Sequence, residues 1–121
     1  MREAELQAHL LRTLNAPGSG TRVWRQNAGH VETIDGYHME LAPEGAGDLV
    51  GLVEPEGWHI EVECKGARTR HRPKQVAWGK MLKRKGGLYV VVRVDKKRTK
   101  EENVAAAMAA VHKAIEQKRA N

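Results

Sequence analysis

A chain of 121 residues with 40% apolar content has room for one sheet-and-helix core and not for two. Its 21 Lys and Arg against 15 Asp and Glu leave a formal charge of +6, which points to a polyanionic partner and is silent about fold. One cysteine excludes an internal disulfide, no apolar run nears the ~20 residues a membrane helix needs, and Met1-Arg2-Glu3-Ala4-Glu5 does not fit a signal peptide, so a reducing, cytoplasmic setting is expected.

Residues 2–14 place Leu6, Leu10, Leu11 and Leu14 on one stripe, which predicts a first helix. Glu3 falls inside that stripe and Glu5 points away. A carboxylate that continues a core face at a helix end either frays into water or meets a cation, and the pattern alone favours fraying. A Gly, Pro and Ser turn over 15–20 leads to 21–26, where Val23 alternates with Arg22 and its neighbours as in a strand near a sheet edge. Residues 27–36 lack apolar periodicity and are expected to form a loop. Within it Asn27, Gly29 and His30 can contact a phosphate or base, or simply face water.

Residues 45–65 organise the rest. Two apolar runs flank a turn of Glu54, Pro55, Glu56 and Gly57, and both read as strands. In the second, Trp58, Ile60, Val62 and Cys64 alternate with His59, Glu61, Glu63 and Lys65, so a core face backs a charged one. Asp48 opens the first, just after Gly45 and Gly47, which allow a tight turn and close approach. An acidic residue on one strand beside Glu63-x-Lys65 on the next supplies the hard oxygens that Mg²⁺ prefers and a cation for transition-state charge. An exposed hairpin with a charged outer face carries the same pattern. Cys64 falls on the apolar face, as core rather than nucleophile.

Three arginines, Arg68, Arg70 and Arg72, surround His71 straight after Lys65, a loop suited to gripping phosphates. Pro73 suits a helix start and Gly86-Gly87 its end, with Gln75, Trp78, Gly79 and Leu82 on one face. The nearly continuous apolar run 88–94 predicts a strand buried on both faces. Thr99 and Glu102 make a capping box for a last helix striped by Val104, Met108, Val111 and Ile115, with His112 at the stripe's border. Its alanines over 105–110 permit close packing against a neighbour. The six histidines show no zinc spacing. No phosphate-cradling loop ends in Lys-Ser or Lys-Thr, and Ser19 lies in a turn without a nucleophile elbow.

The order helix, strand, strand, strand, helix, strand, helix predicts an α/β fold with a mixed sheet (α-β-β-β-α-β-α). Gly47-Asp48-Leu49-Val50-Gly51 followed by Glu63-Cys64-Lys65 resembles the signature of the PD-(D/E)XK nuclease superfamily. Within it the chain resembles the VRR-NUC family, the virus-type replication-repair nucleases. Glu3-x-x-Leu6-Gln7, Val23-Trp24-Arg25-Gln26-Asn27-x-Gly29 and Gln75-x-x-Trp78 fall in that family's order, and the match spans most of the chain. Ala46 stands where the superfamily has proline, a position that shapes the turn and ligates nothing.

The resemblance implies a restriction-endonuclease-like core and a Mg²⁺- or Mn²⁺-dependent DNA endonuclease. Asp48, Glu63 and the Cys64 backbone carbonyl would hold the metal, Lys65 would steady the attacking water, and Gln75 would position Lys65. It also turns Glu3 toward the metal site. Arg25, Asn27, Arg68, Arg70, His71 and Arg72 are the expected DNA contacts. Free-standing members look like homodimers acting on branched DNA such as Holliday junctions, in a bacterium or a phage-infected cell. Alternatives are a non-cleaving DNA-binding subunit, a flap or duplex nuclease within a larger complex, and a restriction-type enzyme, which lacks an evident recognition insert.

Overall fold

A computed structural model describes residues 1–121, and the fold is mixed α/β. Helix α1 spans Glu3–Thr13, strand β1 Thr21–Arg25, β2 His30–Glu32, β3 His38–Glu40, β4 Leu49–Val53 and β5 Trp58–Lys65; helix α2 spans Pro73–Arg84, strand β6 Leu88–Arg93 and helix α3 Lys100–Ala120. A four-stranded sheet runs β1-β4-β5-β6. β4 pairs antiparallel with β1 and, as a hairpin, with β5, and β6 joins β5 in parallel after the α2 crossover. The sheet is therefore mixed, as the element order predicts.

Helices α1 and α3 cover one face. Leu6, Leu10 and Leu14 are each 0% exposed, and their burial contributes about 2 kcal/mol apiece. They meet Val23, Leu49, Ile60, Val62 and Cys64 from the sheet and Val111 and Ile115 from α3. The opposite face of β5 and β6 lies under α2. There Gly79 comes so near Tyr89 that a Cβ would sit 2.8 Å from the ring.

Three expectations need correction. The charged side of β5 is not an outer face: Glu61, Glu63 and Lys65 are 2%, 4% and 4% exposed, because α2 lies across them. The segment 27–36 is not an open loop. It enters a two-stranded ribbon, β2 with β3, in which Val31 pairs with Met39 across a turn at Gly36. Every ribbon residue is exposed, so no buried apolar alternation could announce it. The stripe on α3 keeps Val111 and Ile115, but its first half shifts by one residue, from Val104 and Met108 to Asn103 and Ala107.

That displacement has a cause. The Asn103 side chain accepts from Asp95 N at 2.8 Å and donates to Asp95 O and Thr99 O, which turns it inward beneath the β6–α3 turn. Val104 and Met108 pack at the rim, and His112 is exposed. Of the alanines over 105–110, Ala107 and Ala110 serve an internal contact against the core, while Ala105 and Ala109 are exposed. The Thr99–Glu102 capping box forms in both directions, at 3.1 and 2.9 Å.

Candidate active site

The site lies where the turn before β4 meets the end of β5 and the start of α2. Gly45 makes this possible. Its φ is +96°, and a side chain there would strike the Lys74 carbonyl on α2. Beyond it Gly47 N donates to Glu61 Oε1 at 2.7 Å, which fixes the turn and aims Asp48 across at β5. Asp48 Oδ2 accepts from Cys64 N at 2.8 Å. A strand residue's N–H and C=O point to the same side, so the Cys64 carbonyl also faces the Asp48 side of β5.

Glu63 stands beside Asp48, whose carboxyl acts on it through both hydrogen bonding and charge. Burial is the largest influence on it and the Asp48 charge adds to it, so the Glu63 pKa is pushed up to about 9 although Lys65 pulls the other way. Gln75 completes the group. Its Nε2 donates to Glu63 Oε2 at 3.1 Å, while its Oε1 accepts from Lys65 Nζ at 2.7 Å and from Arg72 N at 2.9 Å. One amide therefore caps α2, holds the lysine and touches the carboxylate. Glu3 joins at one remove: its Oε2 accepts from Gly66 N at 3.1 Å, and its charge adds to the pressure on Glu63.

Asp48, Glu63, Lys65 and Gln75 thus come together, with Glu3 at the border. Asp48, Glu63 and Gln75 open into a cleft of about 860 Å³ that Asn27, Arg72 and Lys74 also line. Asn27 is carried there by the base of the ribbon, its carbonyl accepting from Ala42 N at 3.0 Å. Arg68 and Arg70 wall an adjoining groove. Arg25 does not line the cleft. It pairs with Leu49 across β1 and β4, and Gln26 takes its place in the wall, donating to Gly47 O at 3.2 Å.

His71 lines the same groove as Arg68 and Arg70. Its ring stacks on Tyr89 with centroids 6.0 Å apart, and Nε2 is buried without a hydrogen-bond partner. Burial, with Lys65 and Arg93 nearby, lowers its pKa. Cys64 is a core thiol whose pKa burial pushes up, as its place on the apolar face predicts.

Glu61, which its place in the strand pattern did not single out, anchors the site's wall. Besides Gly47 N, it accepts from Trp78 Nε1 at 2.9 Å and lies 2.7 Å from His59 Nε2. Its signal was present in the sequence: a carboxylate on the face that Trp78 covers needs partners there.

No group of three or more His, Cys, Asp or Glu side chains is arranged to hold a metal ion. The donor set nevertheless fits Mg²⁺ or Mn²⁺, which take one or two carboxylates and complete the shell from water and substrate phosphate. Two adjacent carboxyls, one of them held protonated, are also what a divalent cation would relieve. No family model matches the chain, nor does any curated protein or solved structure.

Proposed function

We propose that the chain is a metal-dependent DNA endonuclease of the PD-(D/E)XK kind, in its VRR-NUC branch. The observation that carries this reading is the linked set Lys65–Gln75–Glu63 with Asp48 alongside. Asp48 and Glu63 would hold Mg²⁺ or Mn²⁺, with the Cys64 carbonyl as a third protein oxygen. When bound, such a cation activates water and offsets charge on the phosphodiester in flight.

The chain's own residues do the rest. Lys65 orients the attacking water and donates to the oxygen on which charge grows. Gln75 keeps the Lys65 ammonium aimed at that place. Glu3 fixes the peptide after Lys65 through Gly66 N, so its effect on the site is indirect. Arg72, with Arg68 and Arg70 beyond it, grips phosphates flanking the scissile one, and Asn27 reaches the substrate from the ribbon side.

The favoured substrate is branched DNA such as a four-way junction, cut by a homodimer. A closed two-fold assembly repeats its site, which suits paired cuts on a two-fold substrate. The test is purified protein on labelled duplex, flap and four-way junction, with Mg²⁺, Mn²⁺ or chelator, beside light scattering at the same concentration. The reading expects metal-dependent cleavage, fastest on the junction, by a dimer. Binding without cleavage in either metal would favour the non-cleaving subunit. A monomer that cuts duplex as fast as junction would remove the dimer and branched-DNA parts alone.

A further inference from the structure

We infer that the turn joining β6 to α3, through Lys96 and Lys97, is a second phosphate-binding segment, and that nucleic-acid backbone leaves the Asp48–Glu63 cleft in its direction. The inference rests on the nuclease reading and gives it a direction.

The parallel pairing of β5 and β6 sets the geometry. Lys65 lies opposite Arg93 in the register, so both strands end at one edge and the chain segments following them lie side by side. Arg93 ties the two together, its Nη1 donating to Gly66 O at 2.9 Å and to Thr69 O. Two grooves adjoin across it. One of about 790 Å³ is walled by the segment Ala67–Pro73 and Arg93, and one of about 510 Å³ by Ala67, Arg68 and the segment Arg93–Arg98.

The charge along this path is of one sign. Arg68, Arg70, Arg72, Arg93, Lys96 and Lys97 are exposed, and none is ion-paired. The one carboxylate in either groove, Asp95, is turned to its own loop, accepting from Lys97 N at 2.9 Å and lying 3.8 Å from Arg98 Nε. On the far side of the cleft the sign reverses. The ribbon there exposes Glu32, Asp35 and Glu40, and Lys74 is paired with Glu44. A polyanion is drawn one way and repelled the other.

The turn is also built in advance. Asn103, 2% exposed, binds both ends of it through Asp95 and Thr99, so a phosphate contact there orders little new chain.

The experiment is duplex binding by anisotropy across a salt series, in chelator so that nothing is cut. It compares the wild type, Lys96→Ala/Lys97→Ala, and a control, Lys83→Ala/Lys113→Ala, whose exposed lysines lie outside both grooves. Each lost phosphate contact flattens the log–log salt slope by about one, so the first variant should flatten it by about two and the control not at all. A wild-type slope retained in Lys96→Ala/Lys97→Ala, with binding intact, overturns this inference and leaves the nuclease reading standing. A wild type that binds neither duplex nor four-way junction at any salt, in chelator or in Mg²⁺, overturns both.

Discussion

Lys65 Nζ donates to Gln75 Oε1 at 2.7 Å, although ten residues and the whole basic loop separate the two. The same oxygen accepts the Arg72 N–H that opens α2, so the position of the lysine is set by the start of a helix. Gln75→Ala should therefore act twice. Loss of the cap should cost about 1 kcal/mol, seen as a fall of a few degrees in Tm. Loss of the lysine's partner should lower kcat by about 10–100-fold with DNA affinity little changed. Equal small losses in rate and affinity would make Gln75 a cap and nothing more.

Glu61 makes a separable claim. Glu61→Ala leaves the buried Gly47 N–H and Trp78 Nε1–H without acceptors, at a cost of about 3 kcal/mol. Glu61→Gln keeps one acceptor oxygen and should recover most of that. Denaturant midpoints of the two variants decide it, and equal midpoints would contradict the anchoring role.

Glu63 predicts a pH dependence. Its pKa rises from an ordinary 4.5 to about 9 on folding, chiefly by burial beside Asp48. An acid whose folded pKa is raised gives stability that is full below pH 4.5 and is lost as pH rises through about 9. Metal-free protein should thus lose Tm across that window, and Glu63→Gln should lose less. Parallel Tm curves for the two in chelator would show that Glu63 is already charged at neutral pH.

The basic loop should act on affinity. Neutralising Arg68, Arg70 and Arg72 together should flatten the salt slope of DNA binding by about three. An unchanged slope would place the DNA on another surface.

What the sequence made legible follows from periodicity and spacing. Leu6, Leu10 and Leu14 announced α1, the alternation from Trp58 to Lys65 announced β5, and Pro73 with Gly86 bounded α2. Gln75 fell on one face with Trp78, Gly79 and Leu82, but only the family resemblance put it beside Lys65, where it lies. The misses have a common cause. Alternation separates two faces and cannot say that both are covered, so Glu61 and Glu63 read as outward until α2 lies over them. Asn103 shifted the α3 stripe because a single polar side chain met four backbone groups, a tertiary fact invisible to a hydrophobic pattern. The ribbon β2–β3 buries nothing, so no pattern marked it.

We propose that Asp48, Glu63 and Lys65 form one metal-dependent hydrolytic centre. Its most direct test is the single-turnover cleavage rate of a labelled four-way junction in Mg²⁺, for the wild type, Glu63→Gln and Lys65→Ala, each at saturating protein. The wild type should cleave, chelator should abolish that cleavage, and both variants should lose on the order of 10³-fold with junction binding retained. Wild-type rates in either variant would contradict it, as would cleavage that persists in chelator.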